Sequence, residues 1–262
     1  MKILFVGDVV GSLGVKTIED YLPQLKQEHK PQVTIVNGEN SANRGRGITE
    51  KIYKQLLNAG ADVITLGNHA FDDDDIFSFM PKVKNIIRPA NFPDETTPGK
   101  GIKYLNVNGV KLAVINVQGN AMMSQSLADP FETAKALVKE ARQETPCIFM
   151  DFHAETTSEK LAMGWYLDGK VSGIVGTHTH VQTNDARILP NGTAYLSDAG
   201  MTGPLDGIIG MRVEDSLNRF LTQMPTRMHV EESGRRQLNG CVIDIDEITG
   251  KATRIKTIQI TS

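Results

Sequence analysis

Two histidines separated by one residue, His178 and His180, are the residues whose type and spacing point most directly to chemistry. They follow residues 171–175, a short apolar run that predicts a buried strand. Because residues i and i+2 lie on the same side of a strand end, we expect both imidazoles to face one point in space. Imidazole is the commonest side-chain ligand of transition metals, so the pair predicts one metal ion or two adjacent ones. The alternative, for this pair taken alone, is two loop histidines whose ring nitrogens bond to backbone and water.

Polar side chains stand directly after four other apolar runs. Asp8 follows residues 3–6, Glu39 and Asn40 follow 33–36, Asn68 and His69 follow 63–66, and His153 follows 148–152. In a parallel α/β sheet, the carboxyl ends of the strands share one edge, where ligands bind. We therefore expect these side chains to meet the two histidines at one place.

The donor atoms of this group are nitrogen and oxygen, with no thiolate among them. Such a set suits iron, manganese or zinc and does not suit a structural zinc site. A carboxylate at its centre could bridge two ions about 3.5–4 Å apart, which is the two-metal arrangement of phosphoester hydrolases.

Each member of the group also has an ordinary structural interpretation. Asp8 taken alone could cap a helix, the asparagines could be turn residues, and Glu39 could be a solvated loop acid. His69 and His153 taken alone are more typical of structural histidines. All of these interpretations together require a coincidence at every strand end, so the pattern as a whole favours a metal centre.

The elements that must position these residues alternate along the chain. Strands are predicted at 3–6, 33–36 and 63–66, with helices at 15–29 and 49–59 between them. This rhythm predicts a parallel sheet covered by helices.

Later in the chain the pattern becomes mixed. A hairpin turn is predicted at Asn108-Gly109, and residues 241–245 are predicted to pair with 253–260. Helices are predicted at 130–142, 158–167 and 214–223, and strands at 148–152 and 172–175. The whole predicts an α/β fold of two stacked mixed sheets with helices outside, in one domain spanning residues 1–262.

Composition and net charge limit the classes of function that this chain can have. The chain has 262 residues and a net charge of −3, so it lacks the basic footprint typical of nucleic-acid binding, although a metal can supply positive charge locally. No run approaches the roughly 20 apolar residues of a membrane span, and the N-terminal run is too short for a signal peptide. We therefore predict a cytoplasmic protein. Cys147 and Cys241 lie in apolar runs and are predicted to be buried and unpaired.

Four further features have competing interpretations. Arg44 and Arg46 are predicted to be solvated loop charges, with a substrate phosphate contact by one of them as the alternative. The acidic run 72–75 is typical of a helix N-terminal turn rather than of a cation site. Trp165 is predicted to pack in the core. Residues 197–210 form either a lid or a long connection, and their length favours a lid.

The ordered polar set resembles the calcineurin-like metallophosphoesterases, and more closely their bacterial YmdB-type branch, over essentially the whole chain. Two differences from the broader superfamily, Asp8-Val9-Val10 in place of Asp-x-His and Glu39 in place of a bridging aspartate, match that branch. The stretches that carry the similarity are Gly7-Asp8, Gly38-Glu39-Asn40, Gly67-Asn68-His69, Arg88-Pro89-Ala90-Asn91-Phe92-Pro93, Asp151-Phe152-His153-Ala154, Gly176-Thr177-His178-Thr179-His180 and Gly200-Met201-Thr202-Gly203-Pro204.

The resemblance implies a four-layer α/β/β/α sandwich and a centre of two transition-metal ions, iron in first place and manganese in second. The implied ligands are Asp8 and His180 for the first ion with Asn40 close by, Glu39 as the bridge, and Asn68, His153 and His178 for the second ion. His69 would not bind metal and would act as the catalytic proton donor.

The activity implied is hydrolysis of cyclic nucleotides, 2′,3′-cyclic and also 3′,5′-cyclic, by a metal-bridging hydroxide with His69 as proton donor. Two alternatives stay open: a phosphomonoesterase or nucleotidase with the same centre, and a regulatory nucleotide- or RNA-binding protein with slow turnover. The implied partners are a small phosphodiester substrate and further copies of the chain in a homo-oligomer. No membrane partner is expected, and the net charge does not support RNA contact.

Overall fold

The computed structural model describes residues 1–93 and 95–262, and across these residues it forms two six-stranded sheets. The strands are β1 (Lys2–Val6), β2 (Val33–Asn37), β3 (Val63–Thr65), β4 (Ile102–Val107), β5 (Val110–Gln118), β6 (Ile148–His153), β7 (Gly173–Thr177), β8 (Arg187–Ile188), β9 (Ala194–Leu196), β10 (Gly203–Pro204), β11 (Arg236–Ile245) and β12 (Ala252–Thr261). The helices are α1 (Gly11–His29), α2 (Glu50–Ala59), α3 (Asp75–Phe79), α4 (Pro130–Ala141), α5 (Thr157–Tyr166) and α6 (Val213–Thr222), with a 3₁₀ turn at Met80–Lys82.

Both sheets are mixed. In the first, the order is β10-β11-β1-β2-β3 with β12 paired to β11, and β1, β2 and β3 run parallel. In the second, the order is β4-β5-β6-β7-β9-β8, and β5, β6, β7 and β9 run parallel. The pairing of β11 with β12 and of β4 with β5 is antiparallel, as predicted. The prediction of two mixed sheets with helices is therefore confirmed.

Local signals explain most element boundaries. Asn108 and Gly109 both have positive φ, 52° and 91°, which the tight turn between β4 and β5 requires. The Thr49 side chain accepts from the Ile52 amide and starts α2. Helix α1 begins four residues before its predicted start, and its N-cap position is Val10 rather than Asp8. This start could not be predicted from the sequence, because the valine side chain cannot accept a hydrogen bond and so gives no capping signal.

The hydrophobic core has three layers, one between the two sheets and one on the outer face of each sheet. Between the sheets, the rings of Phe5 and Phe149 pack with centroids 5.2 Å apart, and Cys147 and Cys241 are buried and unpaired as predicted. Helices α1 and α2 cover the outer face of the first sheet, and α4 and α5 cover that of the second. The result is the helix–sheet–sheet–helix layering that the resemblance implies.

One prediction about local packing is wrong, and for a second the structure favours the alternative. Trp165 is 55% exposed, although Met163 of the same helix is buried. Most of the loop 197–210 is buried: Met201 and Thr202 are buried, and β10 pairs with β11. The structure therefore favours a connection over a lid there.

Two other expectations stay predictions: the single domain and the homo-oligomer. Within the described ranges, no helix is both long and apolar enough to cross a bilayer.

Replacing Phe149 by alanine removes a ring from the layer between the sheets. We expect the free energy of unfolding to fall by about 3–5 kcal/mol, because the cavity adds to the lost transfer energy. Denaturant titration followed by circular dichroism measures the change. The matched control is Trp165→Ala on the exposed face of α5, for which we expect a change within about 0.5 kcal/mol. Equal losses in the two variants would contradict this account of the core.

Candidate metal centre

The predicted site residues meet where the carboxyl ends of strands from both sheets face one another. Three of the contributing strands, β1, β2 and β3, belong to the first sheet, and β6 and β7 belong to the second. The fully or nearly buried members are Asp8, Glu39, Asn40, Asn68, His153 and His180, and the partly exposed ones are His69 and His178. The structure therefore brings all eight together.

The two histidines of the H-x-H motif reach the site by a route that the sequence argument did not anticipate. Strand β7 ends at Thr177, and His178 and His180 have φ values of 99° and 68°. The extended geometry assumed for residues i and i+2 is therefore wrong, because both residues occupy left-handed backbone. Asp198 holds the loop by accepting from the backbone N and the hydroxyl of Thr179, at 3.1 and 2.7 Å.

A hydrogen-bond chain sets the orientation of the His153 ring. The Thr177 hydroxyl donates to Asp151 at 2.7 Å, so it accepts from His153 Nδ1 at 2.8 Å. In its neutral form, His153 therefore carries its proton on Nδ1 and presents the lone pair of Nε2 to the site.

Three polar atoms surround that Nε2 atom. Asn68 Oδ1 lies at 2.9 Å, Glu39 Oε1 at 3.1 Å and His178 Nδ1 at 3.1 Å. The ligating atoms of Glu39, His153 and His178 all lie within 4.8 Å of one another. Electron-rich atoms that converge in this way need a shared positive charge, which a metal ion or a proton can provide.

Asp151 supports the His153 ring and was not predicted from the sequence to belong to the site. It is fully buried and also accepts from Asn37 Nδ2 at 3.0 Å and from the Thr65 hydroxyl. Burial raises the pKa of Asp151 to about 6, so it is ionised at neutral pH and can orient His153 through Thr177. The available signal was its spacing, because Asp151 and His153 stand two apart on β6 and share a face.

His178 and His180 each have one ring nitrogen occupied outside the centre. His178 Nε2 lies 2.9 Å from Glu155 Oε2, which leaves Nδ1 facing His153. His180 Nδ1 donates to the Ile209 carbonyl at 2.9 Å, which leaves Nε2 facing Asn40 Nδ2 at 3.0 Å. Glu155 stands two residues after His153 and was not among the predicted site residues.

Three buried oxygens show whether the residues of the centre fit a metal ion. Asp8 Oδ1 and Asn40 Oδ1 have no hydrogen-bond partner in the described part of the chain, and the group nearest to Glu39 Oε1 is the His153 ring, whose Nε2 lies 3.1 Å away. Leaving a buried acceptor unsatisfied costs about 1–3 kcal/mol, and more for a charged one. Oxygen and imidazole donors without sulfur are the set that iron, manganese or zinc takes in a catalytic site, so these residues fit a metal.

The local electrostatics also favour a cation. Burial alone would lower the pKa of His153, but the Glu39 and Asp8 carboxylates raise it. Burial and the neighbouring His153 lower the pKa of His178 to about 3, which keeps its ring neutral. Burial raises the pKa of Asp8. The carboxylates thus draw positive charge to one point, and a neutral His178 is ready to donate a lone pair there.

His69 lies at the rim rather than in the centre. Its backbone N donates to Glu39 Oε2 at 3.1 Å, while its ring Nδ1 lies 2.8 Å from Asp72 Oδ2. Because Asp72 occupies Nδ1, Nε2 is the nitrogen available to a substrate. Asp72 belongs to the acidic run that was interpreted as the start of a helix, but α3 begins only at Asp75. The position of Asp72 three residues after His69 was the signal that could have predicted their contact.

Gly67 leaves the space into which these groups converge. A Cβ at this position would lie 2.3 Å from Glu39 Oε2 and 2.4 Å from His153 Nε2. No other residue type fits there without moving a donor.

The sequence matches a family model described as YmdB-like protein over residues 4–258. It is 57% identical over 260 residues to a Bacillus subtilis protein named 2′,3′-cyclic-nucleotide 2′-phosphodiesterase, covering 99% of this chain and 97% of that protein. A hypothetical protein from Thermus thermophilus has a similar structure, with a TM-score of 0.92 and 37% identity, covering 100% of this chain and 99% of the other. A novel phosphatase from Mycoplasma pneumoniae gives a TM-score of 0.93 and 34% identity, covering 100% and 93%.

Replacing Gly67 by alanine tests whether the converging donors form a metal site. We expect the added methyl to displace Glu39 or His153 and to abolish the rise in thermal midpoint that Mn²⁺ gives the wild-type protein by mass action. Scanning calorimetry with Mn²⁺ and with a chelator measures the rise, and circular dichroism reports whether the variant is folded. A folded variant with a Mn²⁺ shift equal to that of wild type would contradict the assignment.

Proposed function

This chain belongs to the YmdB-like protein family, and from that membership and the donor set we propose that it is a metal-dependent phosphodiesterase that hydrolyses 2′,3′-cyclic nucleotides. The proposal extends to 3′,5′-cyclic nucleotides as a second substrate group. The observation that carries it is the set of three buried oxygens, on Asp8, Glu39 and Asn40, that converge with imidazole nitrogens and lack any other donor. A metal ion would stabilise all three oxygens at once, whereas a proton on His153 Nε2 would reach only the Glu39 oxygen among them.

The proposed cofactors are two transition-metal ions, iron or manganese. The residues proposed to hold the first ion are Asp8, Asn40 and His180, those for the second are Asn68, His153 and His178, and Glu39 is proposed to bridge them. When bound, such ions neutralise phosphoryl oxygens and lower the pKa of water enough for it to act as a nucleophile near neutral pH.

His69 is proposed to protonate the departing ribose oxygen. Its ring lines the cleft that opens beside the donor group, where a substrate has access to Nε2. Asp72, at 2.8 Å from Nδ1, holds the ring in one orientation. The Glu39 carboxylate accepts a hydrogen bond from the backbone amide of His69. This contact keeps the proposed proton donor at a fixed position relative to the proposed bridging residue.

Parallel assays with metal-loaded protein test the proposal. We expect turnover of 2′,3′-cyclic AMP and of bis-p-nitrophenyl phosphate, and little release of phosphate from AMP. Phosphate release from AMP without opening of the cyclic ester would favour a phosphomonoesterase. Tight binding of the cyclic nucleotide without turnover would favour a regulatory binding protein. Metal analysis of the purified protein decides between iron and manganese.

Replacing Glu39 by alanine removes the proposed bridge. We expect the loss of both bound metal and phosphodiesterase activity, because the remaining donors would have to hold two cations without the shared carboxylate between them. Elemental analysis and turnover of bis-p-nitrophenyl phosphate measure the two losses. A Glu39→Ala variant with full metal content and full activity would contradict the assignment. We expect Asp8→Ala to lose metal and activity in the same way.

Replacing His69 by alanine separates catalysis from metal binding. We expect kcat to fall by about 10²–10⁴-fold, the usual contribution of a general acid, with metal content near that of wild type. The matched control is His29→Ala, at the last residue of α1, which should change neither quantity. Loss of metal in the His69 variant would show that this residue is a ligand and not a proton donor.

A further inference from the structure

A cleft of about 770 Å³ opens directly from the candidate metal centre. Asn40, His69, His178 and His180 form the part of its wall that belongs to the centre. The rest of the wall extends to residues that the proposed hydrolysis does not use. The cleft therefore has room for more of a substrate than the phosphate that reacts.

Arginine dominates the charge of this wall. Five of the eleven arginines in the sequence line the cleft, namely Arg44, Arg46, Arg212, Arg219 and Arg227. None of the seventeen lysines does so in the described part of the chain, although lysine is the commoner cation. Arginine binds phosphate through a planar fork of donors and stacks on flat rings, which lysine cannot do. The selection of residue type thus points to a phosphate-rich ligand with aromatic groups.

These charges are available to a ligand. All five side chains are exposed, and within residues 1–93 and 95–262 none of them forms an ion pair. The acidic residues on the same wall are Glu155, which lies 2.9 Å from His178 Nε2, and Glu232. Five arginines against two glutamates leave the cleft wall positive, although Asp72, Asp73 and Asp74 share an adjoining pocket with Arg44 and Arg46 and the whole chain carries a net charge of −3. The whole-chain charge therefore conceals a local basic surface.

Two segments distant in sequence build this surface together. Arg44 and Arg46 belong to the loop that follows Asn40, and the other three arginines lie in α6 or in the segments beside it. The segments touch at Gly45, where a Cβ would lie 2.6 Å from a methyl of Val230. This close packing holds the two groups of arginines on one continuous wall.

We propose that the cleft binds the backbone phosphates of a ribonucleotide chain, and that the preferred substrate is an RNA 3′ end closed by a 2′,3′-cyclic phosphate. The inference rests on the proposed function. A free cyclic nucleotide has one phosphate, which the metal centre would take, so it leaves the arginines without a partner. Only ribose carries the 2′-hydroxyl that such a ring needs, and an RNA end adds both phosphates and bases.

The reaction is the same as for a free nucleotide. The oxygen of water bonds to phosphorus, one ring P–O bond breaks, and the ribose oxygen that leaves takes a proton. The product is an RNA with a terminal phosphomonoester. The remaining nucleotides do not react and contribute binding through the arginine wall.

A kinetic comparison tests the proposal with metal-loaded protein. We expect kcat/KM for a hexaribonucleotide ending in a 2′,3′-cyclic phosphate to exceed that for 2′,3′-cyclic AMP by about tenfold or more. The double variant Arg219→Gln/Arg227→Gln should lower this ratio by about tenfold. The matched control Arg254→Gln/Lys256→Gln removes the same charge from exposed positions of β12 outside the cleft and should leave the ratio unchanged within about twofold.

Binding provides a second readout that needs no turnover. The anisotropy of a labelled hexaribonucleotide with a 3′-phosphate gives affinity as a function of salt. For a single strand, each phosphate contact makes the slope of log K against log salt steeper by about 0.7. The cleft variant removes two arginines, so its slope should be shallower than that of the wild-type protein by about 1.4. An unchanged slope, or equal competition by a phosphorylated peptide, would overturn the proposal.

The two failures are distinguishable. If the wild-type protein does not hydrolyse 2′,3′-cyclic AMP, the proposed function fails at the centre. If it hydrolyses this nucleotide and does not favour the hexaribonucleotide, only the inference about the cleft is wrong.

Discussion

The compensation of buried negative charge is the constraint on which the rest of this structure depends. Asp8, Glu39 and Asp151 are all fully buried where the two sheets meet. A buried carboxylate costs several kcal/mol unless donors or a cation satisfy it. Asp151 receives hydrogen bonds from three side chains, whereas among the described residues Asp8 Oδ1 has no donor and Glu39 Oε1 has only the His153 imidazole nearby. This difference separates a structural carboxylate from two proposed metal ligands.

The same interactions join the sheets and orient the donors. Asn37 and Thr65 on the first sheet and Thr177 on the second all donate to Asp151. Because Thr177 also accepts from His153, the relative position of the sheets and the orientation of that imidazole are fixed together. The candidate centre is therefore a property of the interface between the sheets, and a change in their packing would move its ligands.

Much of the fold could be predicted because its signals are local. The turn at Asn108-Gly109 and the cap at Thr49 are encoded by residues next to them, and the structure has both. The start of α1 could not be predicted because Val10 gives no capping signal. Trp165 shows the limit of apolar patterning, since an aromatic residue in a helix does not reveal whether another element covers it. Asp72 and Glu155 were not predicted because each is defined by its contact with a histidine, His69 and His178 respectively, and belongs to no recognisable motif.

The sequence by itself determined the family and supplied the candidate donor residues in their order along the chain, because both depend on residue type and spacing. Only the tertiary structure decided which ring nitrogen of each histidine faces the centre, and that His178 and His180 leave their strand in left-handed backbone. It also decided that arginines from two distant segments share one cleft. The physical reason is that these features depend on contacts across the chain, such as Ile209 with His180, which no local pattern encodes.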